Sequence, residues 1–279
     1  MLTQVYIDRI IKNALEEDIN YMDISSQNLF EADHISRAQI IAKDEGVLCG
    51  LGIFLRVFEL LDPGFSSVAR KKDGDALKAG DLIADFSGST LMLLQGERTA
   101  LNLIQHMSGI ASQTAKAVAA VAGSKALIAD TRKTLPGLRA LQKHAVAVGG
   151  GKNHRFNLSD AAMLKDNHID AAGSIEKAVK KLRPSLGHMV KIEVETRNLE
   201  EVEEALAAGA DVIMLDNMDL DTMQRAVELV DGRALLEASG GITLENLSQV
   251  AATGVDIISL GALTHSVKAF DISMKFIKP

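Results

Sequence analysis

The segment VKIEVETRNLEEVEEALAAGADVIMLD, residues 190–216, carries the clearest secondary-structure pattern of this chain. It contains a strand-like run over 190–195, an amphipathic helical pattern over 199–210 and a second apolar strand over 211–216. A strand, a helix and a further strand in this order form a β/α/β unit, in which the two strands run parallel. The sequence therefore predicts a parallel sheet covered by helices in this region.

Similar apolar runs recur on both sides of that stretch. The six runs cover residues 126–130, 161–165, 190–195, 211–216, 234–239 and 256–261. The later ones follow one another at about 22 residues, roughly the length of one β/α unit. This rhythm predicts an α/β fold in which residues 111–266 form an incomplete, open (β/α) barrel that carries the catalytic site.

The first part of the chain lacks this rhythm. Residues 1–110 alternate helical patterns with short strands, which predicts an N-terminal α+β sandwich domain. A long helical pattern from Thr90 to Ala122 is interrupted near Ser108 and Gly109, where we expect a break. Residues 267–279 alternate enough to form a strand, which we expect to return to the N-terminal domain.

Composition excludes several classes of function. A net charge of −7 argues against nucleic-acid binding and against docking on an anionic membrane. No run is long and apolar enough for a membrane span, and the N-terminus has no apolar signal core. Cys49 is the single cysteine, which suits a reducing compartment, and its apolar neighbours predict a buried structural thiol. We therefore expect a cytoplasmic protein.

Polar side chains cluster where the six predicted strands end. Asp130 and Arg132 follow the first strand, and Lys165 ends the second. Glu193 and Glu195 lie in the third, and Asp216 ends the fourth. Glu237 and Ser239 end the fifth, and Ser259 lies in the sixth. In a barrel the carboxyl ends of the strands meet at one face, which holds the active site. One such residue alone is more often a solvated loop residue, but the repetition over six strands predicts a shared site.

Positive charge is concentrated around the first two strands. The segment 125–168 carries eight Lys or Arg against three Asp, although the whole chain is acidic. It also contains the glycine-rich loop 149–151, where a backbone can approach a ligand closely. Arginine grips carboxylates with two parallel hydrogen bonds, and lysine acts as a point charge suited to phosphate. The segment predicts a pocket for a small, multiply charged anion.

Glycines and carboxylates further along the chain are predicted to belong to the same anion-binding pocket. Ser239, Gly240 and Gly241 precede a helical pattern over 244–254, an arrangement typical of a backbone cradle for phosphate. Glu195 and Asp216 are the acidic complement, suited to ribose hydroxyls, to a Mg²⁺ ion carried by a polyphosphate, or to pairing with the pocket lysines. No dinucleotide fingerprint, P-loop, or zinc or calcium motif is present.

Several long motifs in the same order resemble the quinolinate phosphoribosyltransferase family. They are ERTALNLIQHMSGIA (97–111), DTRKTLPGLR (130–139), GGGKNHR (149–155), LKDNHI (164–169), MLDNM (214–218), EASGGI (237–242) and GALTHS (261–266). The resemblance implies transfer of phosphoribose from phosphoribosyl pyrophosphate to quinolinate, with decarboxylation. The products are nicotinate mononucleotide, pyrophosphate and CO₂, in a step of de novo NAD synthesis that uses Mg²⁺.

The resemblance also assigns roles to individual residues. Arg132, His154 and Arg155 match residues lining the quinolinate pocket, and Lys133 and Lys165 match residues between quinolinate and pyrophosphate. Glu195 and Asp216 match the carboxylates for ribose and Mg²⁺, which together with the two lysines gives the catalytic set. Ser239, Gly240 and Gly261 match the loops that hold the 5′-phosphate. Arg98 matches an arginine contributed by the partner subunit of a homodimer, with a hexamer left open.

Some positions depart from the family pattern, and other functions stay open. Leu135, Ala147-Val148 and Leu260 replace common family residues and alter the expected surroundings of the pocket. A related transferase for a different base or acid is one alternative. A barrel aldolase or isomerase with Lys133 or Lys165 as a Schiff-base amine is a second. A non-catalytic anion-binding protein is the third.

Overall fold

The computed structural model describes residues 2–31 and 33–278, and the chain divides into two compact units. The first unit comprises the chain up to Ala115, Thr134–Gly150 and the chain from Thr264 onward. The second unit comprises Lys116–Lys133 and Gly151–Leu263. Strands and helices are numbered below in chain order across both units.

The first unit contains an antiparallel four-stranded sheet in the order β12-β1-β5-β3, and a two-stranded sheet of β2 and β4. Its strands are β1 (Ile35–Ala42), β2 (Gly46–Val47), β3 (Ser66–Ala69), β4 (Ala76–Leu77), β5 (Leu82–Ser89) and β12 (Ile272–Phe276). The C-terminal strand β12 pairs with β1, with Ile40 opposite Met274. Together with the helices described next, this sheet gives the unit the predicted α+β organisation.

Helices α1 (Gln4–Asp18), α2 (Leu51–Leu61) and α4 (Arg139–Val148) lie in the first unit. The buried face of α2 presents Phe54 and Phe58, whose rings lie 5.7 and 5.5 Å from the ring of Phe86 on β5. These rings form an aromatic cluster within a core that is otherwise mostly aliphatic. Cys49 precedes α2 and is fully buried, which confirms the predicted structural thiol. Its burial raises the pKa of the thiol and disfavours the reactive thiolate.

The predicted break near Gly109 is wrong, because α3 runs without interruption over Thr90–Ala120. A side chain at Gly109 would overlap with the backbone carbonyl of Lys268. Gly109 therefore does not form a turn. Its missing side chain allows the C-terminal segment to pack closely against the helix.

The second unit is built on a parallel six-stranded sheet in the order β6-β11-β10-β9-β8-β7. The strands are β6 (Leu127–Ala129), β7 (Ala162–Leu164), β8 (Ile192–Thr196), β9 (Val212–Asp216), β10 (Leu235–Ser239) and β11 (Ile257–Ser259). Five of them lie within the runs predicted from the sequence, and β8 extends one residue beyond its run, to Thr196. Strands β6 and β7 form the two edges, so the sheet is the open, incomplete barrel that the sequence predicts.

Helices connect these strands: α5 (Asp166–Ala172), α6 (Ile175–Leu182), α7 (Leu199–Ala207), α8 (Leu220–Val230) and α9 (Leu247–Ala252). Asn198 and Asp219 begin α7 and α8 by accepting hydrogen bonds from backbone N–H groups three residues on, at 2.9 and 2.7 Å. Fully buried Val194, Ile213 and Ala238 lie on the central strands. The short α10 (Ala262–His265) follows β11. No helix in the described part of the chain is long and apolar enough to cross a membrane.

Candidate active site

A pocket of about 290 Å³ lies in the second unit, at the carboxyl ends of the parallel strands. It is lined by Thr131, Arg132, Lys133, His154, Arg155, Met163, Lys165, Glu195, Met214, Asp216, Glu237, Ser239 and Ser259. Every strand of the sheet, or the loop directly after it, contributes to this lining. The pocket is therefore where a barrel enzyme carries its active site.

Four cationic side chains line this pocket. Arg132 and Lys133 follow β6, Lys165 follows β7, and Arg155 lies in the loop between these strands. Arg155 Nη1 donates a hydrogen bond of 3.0 Å to the carbonyl oxygen of Ala161, which fixes its guanidinium. Burial, and next the positive charge of Arg132, lower the pKa of Arg155, while Glu193 opposes this effect. Two neighbouring guanidiniums are thus held in a partly dry pocket, an arrangement that favours binding of an anion.

The pocket carboxylates lie at the ends of β8 and β9. Glu195 Oε2 is 2.6 Å from Lys165 Nζ, and its side chain is 12% exposed. This contact confirms that Glu195 pairs with a pocket lysine, one of the roles expected from the sequence. Asp216 Oδ2 accepts a hydrogen bond of 2.9 Å from Asn217 Nδ2. Asn217 has a left-handed backbone, with φ of 53°, and its N–H donates to the Ser239 carbonyl oxygen. The turn after β9 is thereby tied to β10.

A buried group of side chains lies around His154. Its Nε2 is 2.9 Å from Glu193 Oε2 and 3.7 Å from Glu237 Oε1. Glu193 and Glu237 are 6% and 2% exposed. Burial, and then the negative charge of Glu193, raise the pKa of Glu237. Both belong to the predicted cluster of polar residues at the strand ends, but neither was assigned a role from the sequence. Strand alternation supports their place in the site, since Glu193 shares a face with Glu195, and Glu237 with Ser239.

Asp130 anchors the loop that carries His154. It is fully buried at the end of β6 and accepts hydrogen bonds from Asn153 Nδ2 and from the His154 N–H, at 2.7 and 2.8 Å. Lys152 also forms a parallel bridge with Ala129. The loop therefore continues the sheet beside β6 and holds His154 and Arg155 at the pocket.

The glycines of the predicted phosphate cradle lie beside this pocket. Gly240 and Gly241 have φ of 92° and 62°, and they line a separate depression together with Asn217 and Asn246. A side chain at Gly240 would overlap with the Asn217 amide. The helix predicted to begin at residue 244 begins only at Leu247 and is six residues long. The prediction of a helix N-terminus directly after the glycines is therefore wrong, and a turn follows them instead.

The structure brings together eight of the twelve predicted site residues in one pocket. They are Arg132, Lys133, His154, Arg155, Lys165, Glu195, Asp216 and Ser239. Gly240, Gly241 and Gly261 are close to them in the chain but lie outside this lining. Arg98 is exposed on α3 in the first unit. Thr131, Met163 and Met214 also line the pocket and were not predicted to do so. Glu237 and Ser259 line it as members of the strand-end cluster to which no role was assigned.

An open parallel barrel with cations and carboxylates gathered at its strand ends defines an enzyme that acts on small anionic substrates. Two family models cover almost the whole chain: "Quinolinate phosphoribosyl transferase, N-terminal domain" matches residues 23–108, and the corresponding C-terminal domain matches residues 110–275. The chain belongs to the quinolinate phosphoribosyltransferase family.

Individual relatives agree with the family models. The chain is 50% identical to the probable nicotinate-nucleotide pyrophosphorylase [carboxylating] of Bacillus subtilis, with 98% of this chain and 94% of the relative aligned. It is 44% identical to the nicotinate-nucleotide pyrophosphorylase [carboxylating] of Mycobacterium leprae, with 95% of each covered. The crystal structure of NadC from Streptococcus pyogenes superposes with a TM-score of 0.95 at 46% identity, covering 100% and 99% of the two chains. The family, the fold class and the enzyme class predicted from the sequence, a decarboxylating pentosyltransferase of NAD biosynthesis, are confirmed.

Proposed function

We propose that the pocket at the strand ends is where this chain joins quinolinate to the ribose of phosphoribosyl pyrophosphate. The observation that supports this most strongly is the composition of one pocket: two arginines, two lysines and three acidic residues, of which Glu195 and Asp216 lie at the ends of β8 and β9. Quinolinate presents two carboxylates and the donor presents phosphates. The cations match both substrates, and the carboxylates match the ribose hydroxyls.

In this proposal the two arginines bind the acid. Arg132 and Arg155 grip the carboxylates of quinolinate and align its ring nitrogen with the anomeric carbon of the ribose. Alignment matters because the ring nitrogen is a weak, neutral nucleophile. The low pKa of Arg155 relative to a solvated arginine supports this role, because a desolvated guanidinium gains from a bound carboxylate.

Lys133 and Lys165 act on the leaving group. As the bond between the anomeric carbon and the pyrophosphate oxygen breaks, positive charge develops on the sugar and negative charge on pyrophosphate. The two lysines stabilise the departing charge, an electrostatic contribution that is often the largest in catalysis. The electron pair of the ring nitrogen then forms the new carbon–nitrogen bond. The ribosylated ring is cationic and accepts the electrons released when the adjacent carboxylate leaves as CO₂, and the same carbon then takes up a proton.

The carboxylates Glu195 and Asp216 suit a Mg²⁺ ion that arrives with the donor. Both offer hard oxygen ligands in the same pocket, and Mg²⁺ usually combines one or two carboxylates with substrate phosphates. When bound, Mg²⁺ neutralises pyrophosphate charge. Glu195 also orients Lys165 through their ion pair, and Asp216 is held by Asn217.

We propose that the enzyme works as a homodimer in the cytoplasm, with Arg98 of one subunit completing the pocket of the other. The exposure of Arg98 on α3 supports its availability to a partner. A subunit over the pocket would exclude water, which otherwise hydrolyses the activated ribose. A single buried cysteine is in keeping with a reducing compartment.

The decisive assay measures CO₂ release in the presence of phosphoribosyl pyrophosphate and Mg²⁺. We expect release with quinolinate as the acid, together with formation of nicotinate mononucleotide. If nicotinate is ribosylated instead and quinolinate releases no CO₂, the proposal is wrong and the related-transferase alternative is correct. The Schiff-base alternative is disfavoured because Lys165 is engaged in an ion pair with Glu195. Borohydride should trap no carbonyl compound on either lysine.

A further inference from the structure

Both ring nitrogens of His154 are engaged by the protein. Nδ1 accepts a hydrogen bond of 2.7 Å from the backbone N–H of Arg155. Nε2 lies 2.9 Å from Glu193 Oε2, and the imidazole is 13% exposed. The ring therefore bridges a buried carboxylate below the pocket and the backbone of an arginine that lines it.

These contacts define the tautomer of the ring. A nitrogen that accepts a backbone N–H carries no proton, so Nδ1 is bare. The proton of the neutral ring is then on Nε2, which donates it to Glu193. In this state His154 brings no charge to the pocket and offers the substrate no ring N–H.

Glu193 is the residue on which this arrangement depends. It is buried near the start of β8, and its other oxygen, Oε1, has no hydrogen-bond partner among the described residues. Its Oε2 lies at hydrogen-bond distance from His154 Nε2. Glu237 Oε1 approaches the same ring nitrogen only to 3.7 Å, beyond hydrogen-bond distance.

We propose that Glu193 is a positioning residue for the acid substrate, and that His154 is a neutral link through which Glu193 holds the backbone of Arg155. This inference rests on the proposed function, since the acid is the ligand that Arg155 grips. Arg155 is then fixed at two points, its N–H by His154 and its Nη1 by the Ala161 carbonyl. The His154 N–H is in turn fixed by Asp130. The preorganised guanidinium loses little freedom when the carboxylate binds.

The tautomer can be tested without turnover. Nitrogen-15 NMR of the histidine rings in the ligand-free enzyme distinguishes bare from protonated nitrogens, and loss of a signal in His154→Gln identifies the ring. We expect one bare and one protonated nitrogen for His154 at neutral pH. Two protonated nitrogens mean a charged ring, which overturns the proposal. This readout stands even if the enzyme acts on another acid.

The positioning role is tested by calorimetric titration of quinolinate and of phosphoribosyl pyrophosphate, each alone. Glu193→Ala should weaken quinolinate binding roughly tenfold and leave donor affinity within about twofold. Glu193→Gln keeps an oxygen that can accept from Nε2, so it should recover quinolinate affinity to within about threefold of the parent. Glu203→Ala, an exposed glutamate on α7, serves as the control.

Two results contradict the proposal. If Glu193→Gln binds quinolinate as poorly as Glu193→Ala, the charge of Glu193 matters rather than its hydrogen bond. If the affinities for both ligands fall together, Glu193 has only a general structural role. Failure of the parent enzyme to bind quinolinate at all is a separate outcome. It would contradict the proposed function, but it would not change the tautomer of His154 measured by NMR.

Discussion

Lys165 Nζ and Glu195 Oε2 lie 2.6 Å apart, so an ion pair joins the carboxyl ends of two adjacent strands, β7 and β8, inside the pocket. The lysine is about half exposed and the glutamate is largely buried. Glu195 therefore holds the half-exposed ammonium of Lys165 near the position that we assign to the leaving pyrophosphate. Binding of the donor must compete with, or share, this ion pair.

We expect Lys165→Ala to lower kcat by roughly a hundredfold or more, because charge stabilisation of the leaving group is lost in the transition state. Steady-state kinetics with both substrates provides the measurement. Lys180→Ala removes an exposed lysine on α6 and should leave kcat unchanged. A Lys165→Ala enzyme with normal kcat and a defect in KM alone would exclude a role in the chemical step.

Gly240→Ala tests the glycine turn after β10. At φ of 92° an alanine is strained, and its methyl group overlaps with the Asn217 amide beside Asp216. We expect KM for phosphoribosyl pyrophosphate to rise by roughly tenfold or more, since the turn must shift. Gly232→Ala has a similar strain, with φ of 71°, but no neighbour within 4 Å. It should lose stability only, so an equal change in KM for both variants would contradict a phosphate role for Gly240.

Glu237 gives the stability of the enzyme a particular dependence on pH. Because its pKa is raised in the folded protein, the folded state holds the proton more tightly than the unfolded chain. Its contribution to stability is therefore largest at low pH and is lost as the pH rises from the ordinary carboxyl value through the raised one. Glu237→Gln imitates the protonated form and escapes this loss.

Urea unfolding between about pH 4.5 and pH 8 measures this effect. The free energy of unfolding of Glu237→Gln, relative to the parent, should increase with pH over that range and then become constant. Glu228→Gln, at an exposed position on α8, should show no such trend. A difference between Glu237→Gln and the parent that does not vary with pH would show that Glu237 is not titrating in this range.

Particular elements show how far the sequence determines this architecture. The six strands of the second unit were predictable because each is a short apolar run between helical patterns. The prediction of a break at Gly109 was wrong, because this glycine allows a close contact with Lys268, which is distant in the chain. The positive charge of segment 125–168 and the polar residues at the predicted strand ends were enough to identify most residues of the cationic pocket. The link from Glu193 through His154 to Arg155 depends on ring orientation and hydrogen bonds, which a sequence pattern does not specify.

Mixed dimers of two variants test whether Arg98 completes the pocket of the partner subunit, as we propose. Arg98→Ala and Lys165→Ala should each be nearly inactive alone. Coexpressed, they form mixed dimers in which one pocket has an intact Lys165 and receives an intact Arg98 from the partner. We expect activity in the purified mixed dimer well above that of either parent variant. Activity no higher than the average of the two variants would contradict a contribution of Arg98 across an interface.

One cationic pocket is proposed to hold two anions with separate sets of residues. This division of roles is measured by calorimetric titration of Arg132→Ala and Asp216→Ala with each substrate alone. Arg132→Ala should lose affinity mainly for quinolinate, because a quinolinate carboxylate loses its bidentate hydrogen bonds to the guanidinium. Asp216→Ala should lose affinity mainly for phosphoribosyl pyrophosphate in the presence of Mg²⁺. If both variants lost affinity for the two substrates in the same pattern, separate binding of the two anions would be contradicted.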